Sequence, residues 1–106
     1  MTLPSSPPRA LFAGLATYDV IQLVERVPRS NEKIAALDFL AAAGGPAASA
    51  AIAFAHCGGL AALSTALPAH ELSALIVADL VAHGVAILPA GTYDGQPITA
   101  SILVTR

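Results

Sequence analysis

The segment "AAAGGPAASAAIAFAHCGG", residues 41–59, sets Gly44, Gly45 and Pro46 inside a run that otherwise reads as buried helix. Alanine is the best helix former and glycine and proline are the worst, so the break asks for a reason. Glycine permits φ > 0 and lets another molecule come close to the main chain. Proline at the first helical position costs no hydrogen bond, because that N–H has no intrahelical partner anyway. The free N–H groups of the first turn lie at the positive end of the helix dipole and favour oxygen-rich ligands. Ser49, one turn along, adds a hydroxyl. A tight turn leading into a small-residue helix packed on a sheet explains the same spacing, so the pattern alone leaves both readings open.

The remaining chemistry-bearing residues form no familiar site. "GGPAAS" is not G-x-G-x-x-G, no G-K-[ST] occurs, and His70-Glu71 lacks the second histidine of a zinc helix. His56, His70 and His83 fall at intervals of 14 and 13, which makes no ligand pair, so no metal site is expected. No G-x-S-x-G elbow is present, and no catalytic residue is assigned. Cys57 is the only cysteine, which excludes an internal disulfide; it reads as a small buried hydrophobe.

The elements that must position the glycines follow from periodicity and punctuation. "MTLPSSPPR", residues 1–9, is a proline- and serine-rich tail expected to be disordered. "ALFAGLA", 10–16, suits a central buried strand, and "DVIQLVERVP", 19–28, a strand exposed on one side and closed by Pro28. "RSNEK" is a polar turn, and "IAALDFLAA", 34–42, returns as a strand, with helix as the alternative. Residues 46–57 form a helix stopped by Gly58, and "LAALSTAL", 60–67, is another strand. "ELSALIVADLVAHG", 71–84, is the clearest helix, with Leu72, Leu75, Ile76 and Leu80 on one face and Gly84 as the cap. "VAILP" and "PITASILVT", 97–105, close the series as strands, with "YDG" turning before the last. Strands alternating with helices at this spacing predict a parallel α/β sheet. The pair around 19–42 and the last strand predict a separate small sheet.

Composition bounds the function. A chain of 106 residues is one domain at most. Five basic and seven acidic residues give a net charge of −2; Arg26, Arg29 and Lys33 make the only basic cluster, so nucleic acid is excluded as a partner. Alanine supplies 24 of the 106 residues, and small side chains bury little area at roughly 25 cal/mol per Å². A core of this kind needs many neighbours, and the last strand pattern runs into Arg106. The expectation is a front portion of something larger. Arg9 with "ALFAGLA" is cut off by Tyr18-Asp19 at the short limit of a signal-peptide core, and 41–55 is too short and glycine-broken to span a membrane. A cytoplasmic, soluble protein with no membrane partner is expected.

The ordered series Gly14 to Asp19, "VPRSNEK", Gly44 to Ala51 and the downstream "SILVT" resembles the amino-terminal region of ribokinase-like (PfkB-type) carbohydrate kinases. The resemblance covers residues 10–106 and implies a ribokinase-like α/β fold, a parallel sheet with flanking helices plus a small β lid, truncated before the carboxy-terminal half. The lid strands would lie at about 19–24, 34–40 and 97–105. The family phosphorylates sugars, nucleosides and related hydroxylated molecules with ATP and Mg²⁺. By resemblance Asp19 would accept hydrogen bonds from substrate hydroxyls, Gly44 and Gly45 would run their backbone along the sugar, and the lid would exclude water. Thr17 and Ser49 stand where the family's pattern has Asn, keeping a hydroxyl and losing the amide's paired donor and acceptor. No G-A-G-D-like segment with its catalytic aspartate is present, so the chain by itself is expected to be inactive and to bind ATP and Mg²⁺ weakly at most. The alternative is a stand-alone, non-catalytic α/β binding or dimerisation module. Exposed lid edges favour a homodimer in either case.

Overall fold

The computed structural model describes residues 6–106. In chain order its elements are β1 (Arg9–Ala13), β2 (Thr17–Val24), β3 (Asp38–Gly44), α1 (Pro46–His56), β4 (Leu60–Thr65), α2 (Glu71–Ala82), β5 (Val85–Pro89) and β6 (Thr99–Thr105). They build two sheets. The first is parallel, in the order β1-β4-β5, and the second has the order β3-β2-β6 with β3 antiparallel and β6 parallel to β2. The mixed architecture with a parallel sheet and a separate small sheet is the one expected from the sequence.

Alternation along each strand of the first sheet assigns its two faces. Phe12 of β1, Ala61, Leu63 and Thr65 of β4, and Val85 and Ile87 of β5 turn toward the helices and are buried or half-buried. The crossovers through α1 and α2 run the same way along the sheet, and right-handed connections then place both helices on one face. The core gathers Ala48 and Ala51 of α1 and Ile76 and Leu80 of α2 around Leu63. Leu63, Ile76 and Leu80 are fully buried, each stabilising by roughly 1.5–3 kcal/mol. Phe54 meets Phe12 edge to face at 5.7 Å, and both pack against this core. Among the described residues no helix covers the opposite face, where Leu11 and Leu88 stand on strands flanking the small Ala62; Leu11 is 63% and Leu88 48% exposed. The molecule is accordingly thin, with a shortest extent of 17 Å.

Several boundaries differ from expectation. Of the expected tail 1–9, residues 1–5 lie outside the described residues, and Arg9 already pairs with Leu60 in β1 while the Pro8 carbonyl accepts from the Leu60 N–H at 2.8 Å. Strand β2 ends at Val24 rather than Pro28, and β3 starts at Asp38 rather than residue 34. The intervening loop is folded on itself: Arg26 holds Glu32 through two N–H donors, one at 2.8 Å, and the Arg29 N–H donates to the same carboxylate at 2.9 Å. That carboxyl is held below the usual glutamate range by the Arg26 guanidinium and then by the Arg29 amide. Cys57 is exposed, not buried, because α1 stops at His56 and Cys57 caps its solvent end beyond the last core-facing turn. On α2 the inward face runs Ser73, Ile76 and Leu80, and Leu75 is left half exposed. Among the described residues no helix is long and apolar enough to cross a membrane.

Candidate functional site

The glycine break sits where β3 gives way to α1. Gly44 is the last residue of β3 and pairs with Thr17, the first residue of β2. Two residues along a strand return to the same face, so Asp19 projects beside Thr17. The Thr17 hydroxyl donates to Asp19 Oδ1 at 2.7 Å. Thr17 is buried and Asp19 half-buried, which leaves one carboxylate oxygen edge for another donor. A Cβ at Gly44 would overlap the Asp19 carboxylate, so the missing side chain is what lets the acid lie against the main chain.

Gly45 has a different reason to be glycine. Its φ of 92° lies in the region that side chains rarely adopt, and a Cβ there would stand 2.6 Å from the Leu15 carbonyl oxygen. Gly45 is also the N-cap of α1 without a side-chain cap, Pro46 occupies the first helical position, and the Ser49 N–H returns to the Gly45 carbonyl at 2.9 Å. Ser49 itself is exposed on the first turn. The structure thus joins Thr17, Asp19 and Gly44 directly, whereas Gly45 and Ser49 are linked to them through the chain.

A cavity of about 490 Å³ opens at the carboxyl ends of β1, β4 and β5; its lining does not include Thr17, Asp19, Gly44, Gly45 or Ser49. Gly14, Leu15, Ser64, Thr65, Tyr93 and Ile98 contribute to its wall. Leu15 is the residue against which Gly45 packs, and the Ile98 carbonyl accepts from the Tyr18 N–H at 2.9 Å, so the cavity wall and the acid's strand are mechanically one unit. Crevices at the carboxyl ends of parallel strands are where open α/β sheets bind ligands. Sequence reasoning missed Ser64, Thr65, Tyr93 and Ile98; the strand-end rule applied to the 60–67 and 85–89 strands would have found the first two.

Among the described residues no three His, Cys, Asp or Glu side chains are placed to hold a metal ion. His56 and His83 do meet, their rings stacked at 5.4 Å where the carboxyl ends of α1 and α2 converge. The Asp19 carboxylate accepts from the Thr17 hydroxyl and itself fills the space over Gly44, so Gly44 is buried rather than the open backbone expected from the sequence.

The two-layer α/β core with a small second sheet at the carboxyl ends of its strands is the ribokinase-like architecture of the carbohydrate kinases. Among solved structures the chain is similar to a putative ribokinase from Agrobacterium tumefaciens, with 27% identity and a TM-score of 0.83 over 94% of this chain and 33% of that one. It also resembles ribokinase from Giardia lamblia, at 17% identity and a TM-score of 0.77, covering 95% and 33% of the two chains. The Arabidopsis thaliana ribokinase complexed with ribose and ATP matches at 22% identity and a TM-score of 0.60, covering 94% and 32%. The resemblance expected from the ordered motifs is borne out, and the chain spans about a third of the length of the structures it matches. No protein-family profile matches, and no curated protein does.

Proposed function

We propose that this chain forms the substrate-binding and lid portion of an ATP-dependent carbohydrate kinase, which phosphorylates a hydroxyl of a sugar or related small molecule. One observation carries the reading: the Asp19 carboxylate, oriented by the Thr17 hydroxyl at 2.7 Å, lies over a main chain that Gly44 leaves bare. A carboxylate accepts from neighbouring hydroxyls through both oxygens, and the absent side chain at Gly44 is the space in which this acid rests while it does so. On this reading the β3-β2-β6 sheet, joined to the cavity wall by the Tyr18 N–H to Ile98 carbonyl bond, is the lid that keeps water out. The similarity to a ribokinase complexed with ribose and ATP supports sugar as the substrate class and ATP as the donor. The sequence has no G-A-G-D-like segment with its catalytic aspartate, so on this reading the chain alone binds substrate without transferring phosphate.

The test is a titration of the ¹⁵N-labelled chain with D-ribose. The amides of Thr17, Asp19, Gly44 and Gly45 are expected to shift together, and Asp19→Asn is expected to weaken binding at least ten-fold with the thermal midpoint nearly unchanged. Shifts confined to other surfaces, or none at all, would end the proposal. The dimerisation reading has its own support in the apolar residues exposed on the second sheet's outer strands, Phe39 and Leu40 on β3 and Leu103 and Val104 on β6. Sedimentation that shows only monomer would remove it.

A further inference from the structure

On the proposed sugar-binding reading, one residue outside the cluster holds its floor in place. Asp79 lies in the last turn of α2, where a negative charge opposes the helix dipole, so its presence there has no local advantage. Its carboxylate reaches across to β3: the Ala43 N–H donates to Asp79 Oδ2 at 2.7 Å, a contact between residues 36 apart in sequence. Strand β3 is at the edge of its sheet. Ala43 pairs with Tyr18, whose own N–H is turned to the Ile98 carbonyl, so this is a non-hydrogen-bonded pair and the Ala43 N–H points outward from the sheet. Without Asp79 that donor would have no partner within the second sheet. The residue that follows is Gly44, the one covered by the Asp19 carboxylate.

The Asp79 carboxylate is itself steadied. His83 Nδ1 stands 2.8 Å from the Asp79 main-chain oxygen, and because a carbonyl only accepts, the ring nitrogen is the donor. The same nitrogen lies 3.5 Å from Asp79 Oδ1, and the His83 ring stacks on His56. The end of α2 thereby clamps the root of β3 against the helical layer.

We infer that Asp79 is a positioning residue for the sugar site: it fixes the Ala43–Gly44 main chain on which the Asp19 carboxylate rests, and with it the place from which that carboxylate meets a substrate. Its loss frees the root of β3 and lowers affinity through misplacement of the floor, with no change to any group that touches the ligand. Conservative replacement by Asn keeps an acceptor oxygen for the Ala43 N–H and preserves the function.

Hydrogen exchange and D-ribose titration of the chain test this together. In Asp79→Ala, protection of the Ala43 amide is expected to fall at least ten-fold and the D-ribose dissociation constant to rise at least ten-fold, while Asp79→Asn stays within about three-fold of the parent in both. Unchanged Ala43 protection in Asp79→Ala overturns the clamp, and lost protection with unchanged affinity overturns the positioning role. Should Asp79→Ala fail to fold, the parent chain answers the question: the Ala43 amide shift must follow the titration of the Asp79 side-chain carboxyl carbon, and independence of the two refutes the contact. Absence of D-ribose binding by the parent refutes the sugar reading and the positioning role with it, whereas the clamp is still judged by exchange alone.

Discussion

Replacing Gly44 by Ala isolates the contact on which the site depends. Gly44 does not occupy the left-handed region, so alanine is conformationally allowed there, and in a strand it should stabilise slightly by restricting the unfolded chain. Against that, the new methyl would fall on the Asp19 carboxylate, whose three outer atoms are its nearest neighbours. The acid must swing away and give up the Thr17 hydroxyl bond of 2.7 Å. A hydrogen bond to a charged group contributes about 1.5–3 kcal/mol when buried; Asp19 is half-buried, which brings the expected loss to about 1–2 kcal/mol. In a domain of this size that lowers the melting temperature by roughly 4–12 °C. The informative assay is a double-mutant cycle in urea. In an Asp19→Ala background there is nothing left to displace, and Gly44→Ala should become neutral or stabilising, with a coupling of about 1 kcal/mol or more. Equal costs in both backgrounds would show that the carboxylate and the glycine do not meet, and the account of the site would go with them.

Gly45→Ala should cost more than Gly44→Ala, about 2–4 kcal/mol, because the clash is with the Leu15 carbonyl and the φ of 92° is strained for any side chain; chemical denaturation that ranks the two the other way would contradict this. The loop between β2 and β3 should loosen in acid. Arg26 lowers the Glu32 pKa in the folded chain, so the pair's contribution is complete above the ordinary glutamate range and is lost as the pH falls through that lowered value. The Arg29 amide, which donates to Glu32, should therefore titrate with a midpoint below that of an ordinary glutamate; a midpoint at or above it would refute the pairing.

The order of elements was legible because glycine and proline punctuate it. Pro46 opens α1, Gly58 and Gly84 follow the two helix ends, and the "VAILP" strand lies where its apolar run indicates. The glycine pair and Asp19 could be singled out, but the reason for each glycine could not: Gly44 is small for a side chain on another strand, Gly45 for a carbonyl 30 residues earlier in the chain. Such constraints are tertiary and leave no local periodicity. The start of β3 was misplaced because "IAAL" is as apolar as a strand, yet is spent in the loop, where the Leu37 N–H bonds the Leu23 carbonyl at 2.7 Å. Leucine outranks serine on any hydropathy scale, which points Leu75 inward, while α2 is turned so that small Ser73 is buried and Leu75 is half exposed. Asp79 carried no sequence signal at all, since its partner is a main-chain amide on another element.

The uncovered side of the β1-β4-β5 sheet bears on the calorimetry of the chain. Unfolding changes the heat capacity in proportion to the apolar surface newly wetted. Here leucines 11 and 88 are wet already, so the increment should fall below the roughly 12–15 cal/mol/K per residue of ordinary domains. A slab 17 Å thick with one dry side has a shallow stability curve, losing little on cooling and melting over a wide interval.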